Sequence, residues 1–203
     1  MIAMKKWICF ALLTLALPVF ADKAALSSPK MTWAGVDYTY AKFIGPVEFA
    51  DTSTLFPGML EAWNYLVLSE RIHAMEKASG KVVVADIAGM NEHNKAASAN
   101  QVITNPGTYD SIGQSHITPE IIARAVKSYK LETNEGLAVA FIVDRFIKLD
   151  KKGEGAIYVV AFDAHSREVL FSERIVGRAT GFGFRNYWFR IVKDAEKGLK
   201  KLH

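Results

Sequence analysis

Residues 137–176 read LAVAFIVDRFIKLDKKGEGAIYVVAFDAHSREVLFSERIV, and this stretch decides the fold. Leu137 to Leu149 is a long β-rich run, apolar on both faces as far as Val143. Asp150-Lys151-Lys152-Gly153-Glu154-Gly155 is turn chemistry, Ala156 to Phe162 is a second strand, Asp163-Ala164-His165-Ser166 is a second turn, and Arg167 to Val176 is a third strand. Three successive strands with short turns predict an antiparallel meander.

Working toward the N-terminus, Thr118-Pro119-Glu120 is a helix start, with a hydroxyl cap, proline in the first turn and an acid near the positive end of the dipole. Ile121, Ile122, Ala125, Val126 and Tyr129 supply its apolar face. Gly89 to Ile117 is an anomaly, 29 residues of weak periodicity rich in Asn, Ser and Gly, in which residues 96–102 suit one or two helical turns. A connection of this length is uncommon in a compact domain unless it serves a purpose or is disordered. Before it, Lys81 to Ala88 reads as a buried strand, and Pro57 to Ala78 as one helix with Leu60, Trp63, Val67 and Ala74 on its buried stripe and Gly80 as its stop. Val36 to Ile44 alternates as a first strand, preceded by a loose leader over residues 22–34. Toward the C-terminus, Asn186 to Leu202 is a last helix capped by Asn186.

The order strand, helix, strand, long loop, helix, three strands, helix predicts an α+β two-layer sandwich: one mixed sheet of about five strands, ending in the meander, with about three helices packed on it. Residues 35–203 are expected to form one domain, with the long loop at 89–117.

The first residues carry an address. Lys5 and Lys6 are a positive start, Trp7 to Phe20 is an almost unbroken apolar run of 14 residues, and Val19-Phe20-Ala21 suits a cleavage point before Asp22. Residues 1–21 therefore read as a secretory signal peptide, the run being short for a spanning helix and broken by Pro18. The competing reading is an uncleaved anchor. The expected destination is the periplasm or the medium. The one cysteine, Cys9, would leave with the peptide. The mature chain would then lack disulfides and thiol chemistry and rely on its core, for which 182 of the 203 residues suffice. No other stretch has the length of a membrane span. Net charge is +4, from 25 Lys+Arg against 21 Asp+Glu. Removing Lys5 and Lys6 leaves 23 against 21, too small an excess to imply nucleic acid.

Three segments, Tyr158-Val159-Val160-Ala161-Phe162-Asp163, Arg167-Glu168-Val169-Leu170 and Gly181-Phe182-Gly183-Phe184-Arg185-Asn186-Tyr187-Trp188, resemble the hairpin-plus-helix end of uncharacterised exported bacterial proteins. The layout is also similar to small α/β envelope domains of the curli-secretion-factor and Tol-Pal β-propeller-partner kind. That resemblance implies binding or assembly in the envelope and supplies no catalytic residue.

Each chemical motif has a plainer competitor. Thr180 to Asn186 sits where a phosphate cradle would, between strand and helix, but Asn186 replaces the third glycine and no Gly-Lys-Ser/Thr follows. The plainer reading is a tight connection with Phe182 and Phe184 plugging the core. The last helix has Trp188, Ile191, Val192, Ala195, Leu199 and Leu202 on one face and Arg190, Lys193, Lys197 and Lys200 or Lys201 on the other, a basic face diluted by Asp194 and Glu196. In the long loop, Asp110, Ser111 and His116 have the residue types of a nucleophilic triad without its spacing, and Glu92, His93, Asp110 and His116 are zinc-competent donors without a recognised pattern. His73, His165 and His203 read as structural or solvent-facing.

The favoured expectation is an exported binding or accessory module of the envelope, with no catalytic residue, cofactor or metal, engaging an envelope protein or small ligand. Its contacts are expected from Asn91, Glu92, His93, Tyr109, Asp110 and His116 on the long loop, and from Arg185, Tyr187 and Trp188 at the glycine–aromatic turn. The competing classes are a hydrolase or metal enzyme built on the 89–117 loop, and a peripheral protein using the basic helix face against a membrane surface.

Overall fold

The computed structural model describes residues 23–107, 112–149 and 151–202. The meander is as expected: β5 (Leu137–Lys148), β6 (Gly153–Asp163) and β7 (Val169–Ala179) pair antiparallel in sequence. The sheet has seven strands rather than about five, because β1 (Lys30–Asp37) and β2 (Lys42–Ile44) share one edge of β5, while β3 (Val82–Ala85) and β4 (Val102–Ile103) lie outside them. Four of its six pairings are parallel.

Residues 30–34, expected in the leader, begin β1, and the strand expected over 36–44 is broken at residues 38–41. Alternation is interrupted between Trp33 and Gly35, where the register with β5 shifts and Gly35 takes φ 114°. The bulge hides the strand's first half from a period-two reading.

Among the described residues five helices of seven residues or more surround the sheet, not about three: α2 (Leu60–Glu70), α3 (Ile72–Ser79), α4 (Ala88–Asn94), α5 (Pro119–Ser128) and α6 (Phe184–Ala195), with a one-turn α1 (Thr52–Thr54) before them. The helix expected over 57–78 is two, divided at Arg71 (φ −122°). The break shifts the phase, so Met75 is buried where unbroken spacing pointed to Ala74. α5 is capped as expected, Thr118 accepting from the Ile121 N–H. α6 starts at Phe184 after Gly183 rather than at Asn186.

Alternate residues of β5 divide the core. Leu137, Val139, Phe141, Val143 and Phe146 face the front, with α2, α3 and α6. Ala138, Ala140 and Ile142 face the back, with Ile122, Ala125 and Val126 of α5. Both faces are thus packed, which explains why β5 is apolar on both sides.

Most of the expected 89–117 loop is built. It holds α4, a 3-10 turn at Ala99–Gln101 and β4. Beyond β3, the outer edge of β1 has no strand to pair with, and amides take its place. Asn64 accepts from the Val36 N–H at 2.7 Å and donates to its carbonyl. Asn94 accepts from the Tyr38 N–H at 2.8 Å and donates to the Val36 carbonyl, while Gln101 donates to the carbonyls of Tyr38 and Ala41. The loop's polarity therefore serves backbone groups that would otherwise be buried unpaired.

Candidate functional site

The back of the sheet gathers two of the expected contact residues around two carboxylates that sequence reading passed over. Asp37 is fully buried at the end of β1. Its Oδ1 accepts from the N–H and hydroxyl of Thr39, at 2.8 and 2.7 Å, and its Oδ2 from the Tyr129 hydroxyl at 2.7 Å. His93 on α4 brings Nε2 to 3.5 Å from Asp37 Oδ2 and 3.3 Å from Thr39 Oγ1. The contact with Asp37 holds the His93 imidazole above its ordinary pKa, against the opposing effect of partial burial. Burial, reinforced by Asp37, drives the Tyr129 phenol well above its usual range. One nitrogen of His93 meets both carboxylate and hydroxyl, whereas a nucleophilic relay needs the two nitrogens on different partners.

Asp144 sits in the bulge between Val143 and Arg145 of β5. Its Oδ2 accepts from Arg174 Nε at 2.9 Å, and its Oδ1 lies 2.8 Å from His116 Nδ1. His116 Nε2 is 2.9 Å from the Tyr40 carbonyl oxygen, and Arg145 donates to the Gln114 carbonyl at 2.6 Å. Burial alone would raise the Asp144 carboxyl, but His116, Arg174 and Arg145 hold it below the ordinary carboxylate range. These contacts fasten residues 112–117 across the sheet. Both carboxylates spend their oxygens on internal partners, as clasps do.

The described members of the zinc-competent set do not assemble: Glu92 is exposed and pairs with Lys95 at 2.6 Å, while His93 and His116 belong to separate clusters. Among the described residues no three His, Cys, Asp or Glu side chains group as metal ligands. Asn91 receives the Asn64 amide at 3.0 Å and so supports the β1 edge. Tyr109, Asp110 and Ser111 lie outside the described residues, as do residues 1–21 and His203. His73 is fully exposed, 3.2 Å from Glu76.

At the turn before α6 the expected contact residues separate. Trp188 is fully buried, stacked on Phe146 at 5.1 Å, and donates to Glu48 at 3.0 Å. Tyr187 accepts from the Gly153 N–H at 2.8 Å. Both are structural. Arg185 is exposed, while its carbonyl accepts from Trp63 Nε1 at 3.0 Å. Phe184 packs into the core near Trp63 and Phe49, whereas Phe182, expected there too, is 96 % exposed. The glycines beside Phe182 take φ 126° and 76°, turning the chain so that the side chain projects.

Two shallow, open depressions meet at Arg185 and together form a groove between α2 and the start of α6. On one side of Arg185 is a concavity of about 620 Å³ lined by Ala62, Tyr65, Leu66, Leu68 and Ser69. On the other is one of about 510 Å³ lined by Glu70, Thr180, Phe182, Asn186, Arg190 and Lys193. Arg71, at the α2–α3 break, ties this end of α2 to the C-terminal segment with two bonds to Glu196, both 2.7 Å. Tyr65, 54 % exposed, and Phe182 are the aromatic residues sequence reading missed. The available signal was a phenylalanine between two glycines.

No protein-family model matches the chain, and no curated protein does. Among solved structures it is similar to the hypothetical protein CT253 from Chlamydia trachomatis, at 15% identity and TM-score 0.35 over 86% of this chain and 88% of that one. It is also similar to lipoprotein GNA1162 from Neisseria meningitidis, at 9% identity and TM-score 0.30 over 74% of this chain and 81% of that one. No helix among the described residues is long and apolar enough to cross a membrane.

Proposed function

We propose that this chain is exported after loss of residues 1–21 and acts in the envelope as a binding module without chemistry of its own, its contact surface being the α2–α6 groove. The carrying observation is Phe182, 96 % exposed and sharing a concavity with Arg185, whose other side is lined by Tyr65 and whose backbone Trp63 pins to the core. Large aromatics and arginine anchor interfaces because they bury much area with little loss of rotamer freedom. The acid–histidine clusters, the natural alternative site, are occupied in holding the fold.

A photoreactive benzoylphenylalanine at position 182 in intact cells is expected to yield an adduct with whatever occupies the groove, protein or lipid. Replacing Tyr65 and Arg185 together by alanine should reduce its yield several-fold while the protein stays folded. An unchanged yield in that double variant would contradict the groove as the contact surface.

A further inference from the structure

Among the described residues Phe182 is the most exposed of the large apolar side chains, at 96 %, and three cations share a concavity with it. Arg185, Arg190 and Lys193 line the concavity beside it, with Glu70 the single acid among the lining residues. The internal pairings here are loose, Lys193 lying 3.5 Å from Glu70 and Arg190 lying 3.6 Å from Asp194, both with partly exposed side chains. Such pairs exchange readily for an external anion. Across Arg185 the groove turns apolar, with Leu66, Leu68 and the Tyr65 ring.

The chemistry is therefore amphiphilic: a projecting aromatic tip, a cationic collar and an apolar trough. A purely anionic soluble ligand would leave the tip and trough in water. An apolar peptide would leave the collar without counter-charge. Resting on the reading of this groove as the binding surface, we infer that its occupant is an anionic bilayer surface. Phe182 enters the headgroup–acyl boundary, and Arg185, Arg190 and Lys193 meet lipid phosphates. The segment is too short to span, and it anchors from one side.

The test places an environment-sensitive fluorophore at position 182 of the purified mature protein, which has lost Cys9 with residues 1–21, through Phe182→Cys, with Val47→Cys as an equally labelled control at another exposed apolar position. Vesicles of phosphatidylglycerol and phosphatidylcholine should blue-shift the probe at 182 and leave the probe at 47 unchanged. Pure phosphatidylcholine should give little shift, and salt at about 0.5 M should remove most of it. Arg190→Ala should weaken partitioning about fivefold. No shift on anionic vesicles, an equal shift on neutral ones, or a shift reproduced by inorganic phosphate alone would each overturn the inference. A protein adduct from position 182 in cells, with no lipid response, would overturn the bilayer as occupant and keep the groove as a binding surface. Loss of both signals would overturn the groove reading itself.

Discussion

The indole N–H of Trp63 donates to the carbonyl oxygen of Arg185 at 3.0 Å, joining residues 122 apart in sequence. Trp63 is fully buried, stacked on Phe184 and edge-on to Phe146. The rim of the groove is thereby fixed to the core: the backbone of Arg185 is pinned while its guanidinium stays exposed.

Trp63→Phe removes the donor and leaves a carbonyl short of its partner. It should cost about 1–3 kcal/mol in urea unfolding. It should also lower the crosslink yield from position 182, because Arg185 loses its anchor. A variant of native stability and native yield would show that this bond does not set the rim.

Arg71 and Glu196 form the second brace. The pair is bidentate and largely shielded, with side chains 25% and 9% exposed. A double-mutant cycle of Arg71→Met and Glu196→Gln should return a coupling of about 1.5–3 kcal/mol, the range of charge-assisted bonds. Coupling near zero would place the pair with ordinary surface ion pairs.

His93 predicts a pH dependence. Its folded pKa is raised by Asp37 above the unfolded value of about 6.5. Its stabilisation is therefore complete below that pH and is lost as pH rises through the folded pKa. The stability difference between the protein and His93→Gln should be largest in mild acid and shrink above neutrality, measured by urea midpoints across pH. A difference that grows with pH would contradict the Asp37 contact.

Asp144 has the opposite sign. Its folded pKa lies below the ordinary carboxylate value, so its contribution is present above pH about 4 and fades as pH falls through the lowered value. Asp144→Asn leaves Arg174, Arg145 and His116 without their anion. It should destabilise by about 3 kcal/mol and raise hydrogen exchange over residues 112–117. Unchanged exchange there would show that the segment is held by something else.

The meander and the Thr118 helix start were legible because each depends on neighbours in sequence: short turns, a two-residue period, a cap. The parallel half was not, since pairing β1 and β2 with β5 depends on residues about 100 positions away and on the Gly35 bulge. The polarity of 89–117 was visible, but its purpose was not. Asn94 and Gln101 look like loop residues until the unpaired edge of β1 is in place. One clue was local. Asp144-Arg145 interrupts an otherwise apolar central strand, a position where buried charge demands a partner or a bulge, and the structure supplies both. Phe182 was misplaced because aromatic residues are ordinarily core, and only the two positive-φ glycines turn it outward.

The account rests on the groove, and not the 89–117 segment, being the face that meets a partner. Benzoylphenylalanine placed in parallel at position 182 and at the exposed Glu92 compares the two faces in the same cells. Strong adduct formation from 182 with little from 92 is the predicted result. Adducts from 92 and none from 182 would contradict it.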